Sequence, residues 1–336
     1  MIKTGAKPIV LLILITALLL PTLNTGCTHK PPDERMSETR FLMDTYVTLT
    51  VHGNVDPGIF EEAFKLCIEY ENLLSMTIEN SDIWRINHAG GEAVRVDPRT
   101  IEIIEAGLKF SEVSGGMFDI TVGRLTELWD FGGKQHVPSS EESEQVLTTI
   151  DFRQVIIEGD NVRLINPEAR IDLGAIAKGY IAYKTAEFLA ASGVSGALVD
   201  MGGDIVAVGS RPGGDPWRIA LRKPFGEDGE YLGVIEVMWV SVLASGIYER
   251  RFEKDGVIYH HILDPTTGYP VISDVINAVV IAETAVLGEG LSTIAVLIGS
   301  DEAQRIFHEF HGFIGAVLVL NDGTVLEIGN VDLINN

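Results

Sequence analysis

Strand-like segments follow one another along this sequence instead of alternating with helices, and this order most constrains the fold. Apolar strand patterns cover residues 197–200, 205–208, 218–221 and 234–242 with no helical pattern between them. Consecutive strands pair with their neighbours through short turns, whereas parallel strands need a helix between them. The sequence therefore predicts an α+β fold with mixed or antiparallel sheets flanked by helices, and not a doubly wound fold.

Helical patterns occupy the remaining apolar stretches. Residues 57–74, 175–191 and 285–298 carry apolar residues at helical spacing, and Ser300 is predicted to open a further helix over 301–310. The polar, acidic stretch 138–144 is predicted to be a surface loop.

The size and the charge of the chain exclude several classes of protein. Its 336 residues show no internal repeat, so we expect one large domain or two entwined lobes. The formal net charge is −23, and an acidic surface repels phosphate backbones. Nucleic acid is therefore not an expected partner.

The N-terminus reads as a targeting segment. Lys3 and Lys7 precede an apolar stretch over 9–20, which is shorter than the ~20 residues that cross a bilayer. Cys27 follows Thr25 and Gly26 and resembles the lipidated cysteine of a bacterial lipoprotein, although Asn24 stands where an aliphatic residue is usual. The sequence leaves two alternatives, lipidation at Cys27 and cleavage of the signal peptide without lipidation.

We favour lipidation at Cys27, with residues 1–26 as the signal peptide and residues 27–39 as a tether. The expected location is then the extracytoplasmic side of the cell membrane, held there by a lipid anchor.

Residues 171–180 contain the closest grouping of candidate functional residues in the chain. Asp172, a turn of small residues and Lys178 lie there at the predicted N-terminus of a helix. Free amides at a helix N-terminus beside a lysine form a seat for phosphate. A tight strand-to-helix turn with a surface lysine is the other interpretation, and composition alone favours it. The spacing matches neither a P-loop nor a dinucleotide fingerprint.

Two further groups of residues have side chains suited to base catalysis or to metal binding. His261 and Asp264 lie three residues apart before a Pro-x-Thr-Gly turn, so His261 is either a general base or a residue that orders the loop. Glu289 and Thr293 lie four residues apart on a predicted helix, where a carboxylate and a hydroxyl on one face suit a hard ion such as Mg²⁺. A solvated helix face is the alternative.

Taken together, six segments in their order along the chain resemble the ApbE family of FAD:protein FMN transferases. The resemblance extends from Arg40 to Ile328, and it is carried by residues 43–45, 116–122, 172–180, 201–204, 245–250 and 261–268.

This resemblance implies an ApbE-like single catalytic unit over residues 40–330. It implies a Mg²⁺-dependent enzyme that splits FAD, joins FMN through a phosphoester to a threonine of an acceptor protein and releases AMP. The implied acceptor is a redox-driven pump or an electron-transfer subunit. A Mg²⁺-dependent FAD pyrophosphatase and a flavin-binding surface lipoprotein without turnover are the alternatives.

The resemblance also assigns residues to the site. His261 would activate the acceptor hydroxyl, Lys178 would neutralise phosphate charge, and Asp264 would orient the histidine. The metal would be held by the backbone carbonyl of Ala175 and by Glu289, Ser292 and Thr293. The residues expected to line the FAD site are Met43, Thr77, Met117, Phe118, Asp119, Asp172, Lys178 and Ile262.

Two of these residues depart from the family pattern. Glu289 stands where the family generally has Asp, and Thr77 stands where members carry a larger side chain that contacts the flavin. The position of Thr77 is associated in the family with the balance between transfer and hydrolysis, so both activities stay open.

Overall fold

An antiparallel sheet forms the centre of the molecule and explains why strand patterns follow one another. The computed structural model describes residues 35–227 and 229–334. All neighbouring strands in this sheet run antiparallel. Numbered in chain order, its eight strands lie in the spatial order β1 (Arg35–Leu42), β2 (Thr45–His52), β6 (Gly196–Met201), β7 (Asp204–Gly209), β10 (Ser241–Gly246), β13 (Val275–Ala282), β14 (Phe313–Leu320) and β15 (Val325–Gly329).

Helices cover one face of this sheet. Along β7, Val206 and Val208 pack in the main core with the helices, while Ala207 between them packs in a second core on the opposite face. The helices are α1 (Gly58–Leu74), α2 (Asp82–His88), α3 (Pro98–Val113), α4 (Gly123–Trp129), α5 (Ser140–Leu147), α6 (Ala177–Ala191), α7 (Ala285–Ile298) and α8 (Ser300–Phe307).

A two-stranded ribbon of β8 (Trp217–Arg222) and β9 (Tyr231–Val237) supplies most of that second core. The remaining small sheets are β3 (Val94–Arg95) with β5 (Asn161–Leu164) and β4 (Val155–Glu158), and the ribbon of β11 (Arg251–Lys254) with β12 (Val257–His260).

The predicted α+β class is confirmed, and the described residues pack as one compact unit. None of the described helices is long and apolar enough to cross a membrane.

Two predicted segments differ from the structure. The apolar run 234–242 is not one strand, because the chain turns at Met238 and Trp239 and its two halves join different sheets. Trp239 has the left-handed φ of 54°, and no glycine or proline marks this turn in the sequence. The stretch 138–144 is not wholly a loop. Helix α5 begins at Ser140, with the reciprocal capping hydrogen bonds of Ser139 and Glu142 at its start.

Three boundaries also differ. Helix α6 begins at Ala177, so Ala175 lies in the turn before it. Ser300 is the first residue of α8 and not its cap, because its hydroxyl donates to Asp274 Oδ2 at 2.5 Å. Strand β1 begins at Arg35, within the stretch assigned above to the tether, because it pairs along its whole length with β2.

Candidate functional site

Lys178 lies in the first turn of α6 and is the centre of a buried charge cluster. Its ammonium Nζ forms ion pairs with Asp204, the first residue of β7, and with Glu289 Oε1 of α7 at 3.0 Å. Glu289 Oε2 accepts a hydrogen bond from the backbone N–H of Gly179 at 2.7 Å, and Asp204 Oδ1 accepts one from the N–H of Ala244 at 3.3 Å. The cluster therefore fixes the lysine between a helix and a strand.

Burial and the attraction between opposite charges shift the pKa values in this cluster in opposite directions. The side chains of Asp204 and Glu289 are only 3% and 4% exposed. Burial raises the pKa of Glu289, and attraction to Lys178 offsets part of that increase. Burial lowers the pKa of Lys178, but attraction from Asp204 and Glu289 outweighs it, so the net shift is upward. Lys178 is therefore a permanent cation at neutral pH.

We expect Lys178→Met to lower the free energy of unfolding by about 3 kcal/mol, because it leaves two buried carboxylates without their cation. Lys184→Met is the matched control on the same helix. Lys184 pairs at 3.1 Å with Glu102, whose side chain is 55% exposed, so its loss should cost at most about 1 kcal/mol. Urea unfolding followed by circular dichroism measures both values. Equal losses in the two variants would contradict the assignment of Lys178 as the cation that balances two buried carboxylates.

A group of hydroxyls lies beside the charge cluster. Ser245 Oγ of β10 is 2.8 Å from Ser292 Oγ and 3.0 Å from Thr293 Oγ1, and Ser292 Oγ donates to the carbonyl of Glu289 at 3.0 Å. The structure thus places Glu289 in contact with Lys178 and places Ser292 and Thr293 of the same helix against Ser245. Sequence reasoning did not assign Ser245 or Asp204 to the site, although both lie in the segments that carry the family resemblance.

The atoms beside the charge cluster that could bind a metal are oxygens. No group of three or more His, Cys, Asp or Glu residues suited to a metal occurs within 35–227 and 229–334. A carboxylate with neighbouring hydroxyls and a backbone carbonyl matches the preference of Mg²⁺ for hard oxygen ligands, and does not match zinc. The residues present therefore fit a magnesium ion by their chemistry.

His261 follows the last residue of β12. Its backbone N–H donates to the carbonyl of Arg250 at 3.0 Å, and its Nδ1 is buried without a hydrogen-bond partner in the described part of the chain. Burial lowers the pKa of His261 to about 4, with smaller contributions from Arg250, His260 and Lys178. The imidazole is therefore neutral at physiological pH, which is the form that accepts a proton.

Asp264 does not orient this histidine through a hydrogen bond in the described residues. Its Oδ1 accepts hydrogen bonds from the N–H of Thr266 at 2.7 Å, the hydroxyl of Thr266 at 2.6 Å and the N–H of Thr267 at 3.3 Å. These contacts close a local turn. The interpretation of Asp264 as the partner of His261 is therefore corrected, and Asp264 orders the loop that follows the histidine.

Asp119 has a similar arrangement. One carboxylate oxygen accepts from the N–H and the hydroxyl of Thr121 at 2.7 and 2.6 Å, and the other accepts from the N–H of Phe152 at 2.9 Å. Asp119 is buried, and burial raises its pKa. Its hydrogen bonds hold the turn at Thr121, just after Met117 and Phe118, and the start of the segment at Phe152.

The other residues predicted to line the FAD site lie in turns or on the main core. Met43 has a left-handed φ of 53° in the turn between β1 and β2, and its N–H donates to Glu71 Oε1 at 3.0 Å. Asp172 accepts from the N–H of Gly174 at 2.8 Å, and the exposed Thr77 has its hydroxyl 3.1 Å from Ser75 Oγ. Met43, Met117, Phe118 and Ile262 all pack on the main core.

The sequence profile of the ApbE family matches residues 43–318, which include both the charge cluster and His261. The chain belongs to the ApbE family. A relative from Treponema pallidum, an FAD:protein FMN transferase, is 35% identical over 282 residues, which cover 79% of this chain and 78% of the relative. A Vibrio cholerae protein of the same description is 30% identical over 302 residues, covering 87% and 89% of the two chains.

Solved structures agree with this membership. The crystal structure of the ApbE protein of Thermotoga maritima superposes with a TM-score of 0.81 at 33% identity, covering 88% of this chain and 97% of that one. The flavin transferase ApbE from Vibrio cholerae gives a TM-score of 0.80 at 27% identity, covering 89% and 98%. The ApbE fold therefore extends over nearly the whole described chain.

Proposed function

We propose that this ApbE-family chain is a Mg²⁺-dependent FAD:protein FMN transferase that joins FMN through a phosphoester to a threonine of an acceptor protein and releases AMP. The transferase class follows from the family and from relatives of that description. The observation that carries the proposal is the ion pair of the cation Lys178 with Glu289 of α7, whose Thr293 hydroxyl contacts Ser245, in a chain that also holds a half-buried His261 with an unpartnered ring nitrogen among the described residues.

Each residue would contribute a definite step. The ammonium of Lys178 would neutralise charge on the pyrophosphate of FAD. The imidazole of His261 would take the proton of the threonine hydroxyl as that oxygen bonds to the FMN phosphorus. The bond from this phosphorus to the bridging oxygen then breaks, and AMP leaves with the electron pair.

Magnesium would be held by Glu289 and Thr293, with Ser292 and the carbonyl of Ala175 as further ligands. When bound, it would supply additional neutralisation of phosphate charge. Glu289 is longer than the Asp usual in the family by one methylene, and its carboxylate contacts Lys178 and the N–H of Gly179.

One incubation tests the reaction class. The purified protein is mixed with FAD, Mg²⁺ and a threonine-bearing acceptor peptide, and the products are separated. A fluorescent acceptor together with AMP supports transfer. Free FMN with an unlabelled acceptor supports the pyrophosphatase, and unaltered FAD supports a binding protein without turnover. The implied acceptor class is a redox-driven pump or an electron-transfer subunit.

We also propose that Cys27 is lipidated and holds the enzyme on the extracytoplasmic side of the cell membrane. Cys27 and the predicted signal peptide lie outside the described residues. The support is the sequence pattern, in which positive charge, a short apolar stretch and small residues precede the cysteine.

Cys27→Ser is expected to move the protein from the membrane fraction to the soluble fraction, or to leave an unprocessed precursor. The reason is that the substitution removes the lipid, which is the strong membrane attachment of the mature protein in this proposal. Fractionation and immunoblotting measure the change, with Cys67→Ser as a control, since Cys67 is fully buried in the main core. Mass spectrometry that finds an unmodified mature N-terminus beyond Cys27 would contradict the proposal.

A further inference from the structure

Trp129, the last residue of α4, is fully buried and contacts the chain on both sides of His261. Its indole Nε1 donates a hydrogen bond at 2.8 Å to the carbonyl of Gly268, in the loop that follows the histidine. Its ring also lies against the β11–β12 ribbon that precedes the histidine, with ring centroids 5.4 Å from Tyr259 and 6.4 Å from Phe252. A single side chain therefore holds the segments before and after His261.

The ribbon packs on this tryptophan. Strands β11 and β12 form a two-stranded sheet of their own, in which Phe252 and Tyr259 lie directly opposite each other with stacked rings 5.5 Å apart. Both side chains pack in a third core, distinct from the two cores on the faces of the large sheet, and Trp129 is its largest fully buried member. Because an isolated two-stranded ribbon is at best marginally stable in water, this aromatic core helps to fix the strand end from which His261 follows.

The other end of α4 is fixed to the segment that leads to Lys178. Val122 forms a parallel bridge with Arg170, and the N–H of Gly123 donates to the carbonyl of Arg170 at 3.0 Å. A Cβ atom at Gly123 would lie 2.8 Å from that carbonyl oxygen, so the helix begins directly against this segment. This seven-residue helix therefore connects the chain before Lys178 with the loop after His261.

We propose that Trp129 is a positioning residue for the transfer reaction, and that it holds His261 where the imidazole can take the proton of the acceptor threonine. This inference rests on the proposed function. A base acts only within hydrogen-bond reach of its proton, and a displacement of about 1 Å can lower a rate by about 100-fold. Phenylalanine in place of Trp129 keeps an aromatic ring but loses the hydrogen bond to Gly268, so the loop after the histidine is held less firmly.

Trp129→Phe tests the proposal, with Trp217→Phe as the matched control. Trp217 is also a buried tryptophan whose Nε1 donates to a backbone carbonyl, that of Val208 at 3.2 Å, but it packs in the second core on the other face of the large sheet. Transfer of FMN from FAD to a threonine-bearing peptide, with Mg²⁺ present, gives kcat and the KM for the peptide. Flavin fluorescence gives the FAD affinity, and circular dichroism gives Tm.

Both variants are expected to lower Tm, because each loses a buried hydrogen bond and part of a packed ring. Only Trp129→Phe is expected to lower kcat, by about 10-fold, at unchanged FAD affinity and unchanged KM for the peptide. Phe252→Leu loosens the same core from the side of the ribbon and should lower kcat in the same way by a smaller factor. It gives the same comparison with Trp217→Phe if Trp129→Phe does not fold.

The same substitution in a His261→Asn background separates positioning from a general loss of stability. A residue that acts through His261 has no base left to position there, so Trp129→Phe should lower the residual rate by less than about 2-fold. A further loss of about 10-fold in that background would overturn the proposal, as would equal losses of kcat in Trp129→Phe and Trp217→Phe.

Failure of the proposed function gives a different result. If the unmodified protein labels no peptide and releases free FMN, the transferase assignment is contradicted and this inference with it. An unchanged transfer rate in His261→Asn would contradict base catalysis and therefore also the role of Trp129. Transfer that depends on His261 but not on Trp129 would overturn the positioning role alone.

Discussion

Glu289→Gln is expected to abolish FMN transfer while the fold stays largely intact. Glutamine keeps an oxygen that can accept the N–H of Gly179, but it removes the negative charge that faces Lys178 and that a magnesium ion needs. Because burial already raises the pKa of Glu289, a neutral side chain of the same shape relieves a desolvation cost. Single-turnover transfer and circular dichroism measure the two quantities.

A variant of Asp204 distinguishes the two roles assigned to Glu289, which are partner of the Lys178 charge and ligand of magnesium. Asp204 contacts the same lysine but is not a predicted metal ligand, so Asp204→Asn should reduce transfer without changing its dependence on Mg²⁺ concentration. Raising Mg²⁺ should rescue Thr293→Ala better than Glu289→Gln. Equal activity of Glu289→Gln and the unmodified protein at limiting Mg²⁺ would contradict the metal assignment, as would the same Mg²⁺ dependence in Glu289→Gln and Asp204→Asn.

Local periodicity predicts that Glu289 and Thr293 lie on one face of a helix, whereas Ser292 is implied only by the family resemblance. Glu289, Ser292 and Thr293 share a face of α7 because residues three and four apart are neighbours on a helix. The structure adds that this face meets Ser245 of a strand. The helical spacing could place Glu289 and Thr293 on one face of the helix, but it could not identify the residues that this face contacts.

The partners of Lys178 could not be predicted from spacing. Asp204 and Glu289 lie 26 and 111 residues from the lysine along the chain. They meet because β7 and β10 are neighbours in the sheet and α6 and α7 pack on the same face of it. Strand order is a property of the whole fold, so composition and periodicity leave it undetermined.

The spacing Asp-x-Thr at two aspartates also indicates a local turn. Asp119 and Asp264 each lie two residues before a threonine, and each accepts that threonine's N–H at 2.7 Å and its hydroxyl at 2.6 Å. The spacing Asp-x-Thr thus predicts a carboxylate that closes its own turn. The hydrogen bonds of both residues order loops that carry neighbouring predicted site residues, and the assignment of Asp119 to the FAD site stays a prediction.

His261→Asn is expected to lower the rate of FMN transfer by about 100-fold or more, with little change in FAD affinity, because a general base acts in the transition state. His260→Asn is the matched control. His260 is adjacent, and burial also lowers its pKa to about 4, but it has no predicted role in transfer. Flavin fluorescence titration and single-turnover transfer on the same samples give both quantities.

The pH dependence gives an independent check on this base. A pKa of about 4 keeps His261 neutral from pH 8 down to about pH 5, so the base form is not lost in this range. A histidine at its ordinary value of about 6.5 would already lose most of its base form by pH 5.5. Titration of the His261 imidazole, followed by NMR, should therefore show no midpoint near pH 6.5, whereas protonation of Glu289, whose pKa burial raises to about 7, should lower transfer in this range.

The alternative role for His261 is to order the loop that follows it, and the structure makes the two roles separable. Asp264 already closes that loop through Thr266 and Thr267, so the loop does not depend on the imidazole. Loss of the base alone then lowers the transfer rate at unchanged Tm and unchanged FAD affinity. A loss of FAD binding in His261→Asn that accounts for the whole rate defect would contradict base catalysis and make His261 a structural residue of the flavin site.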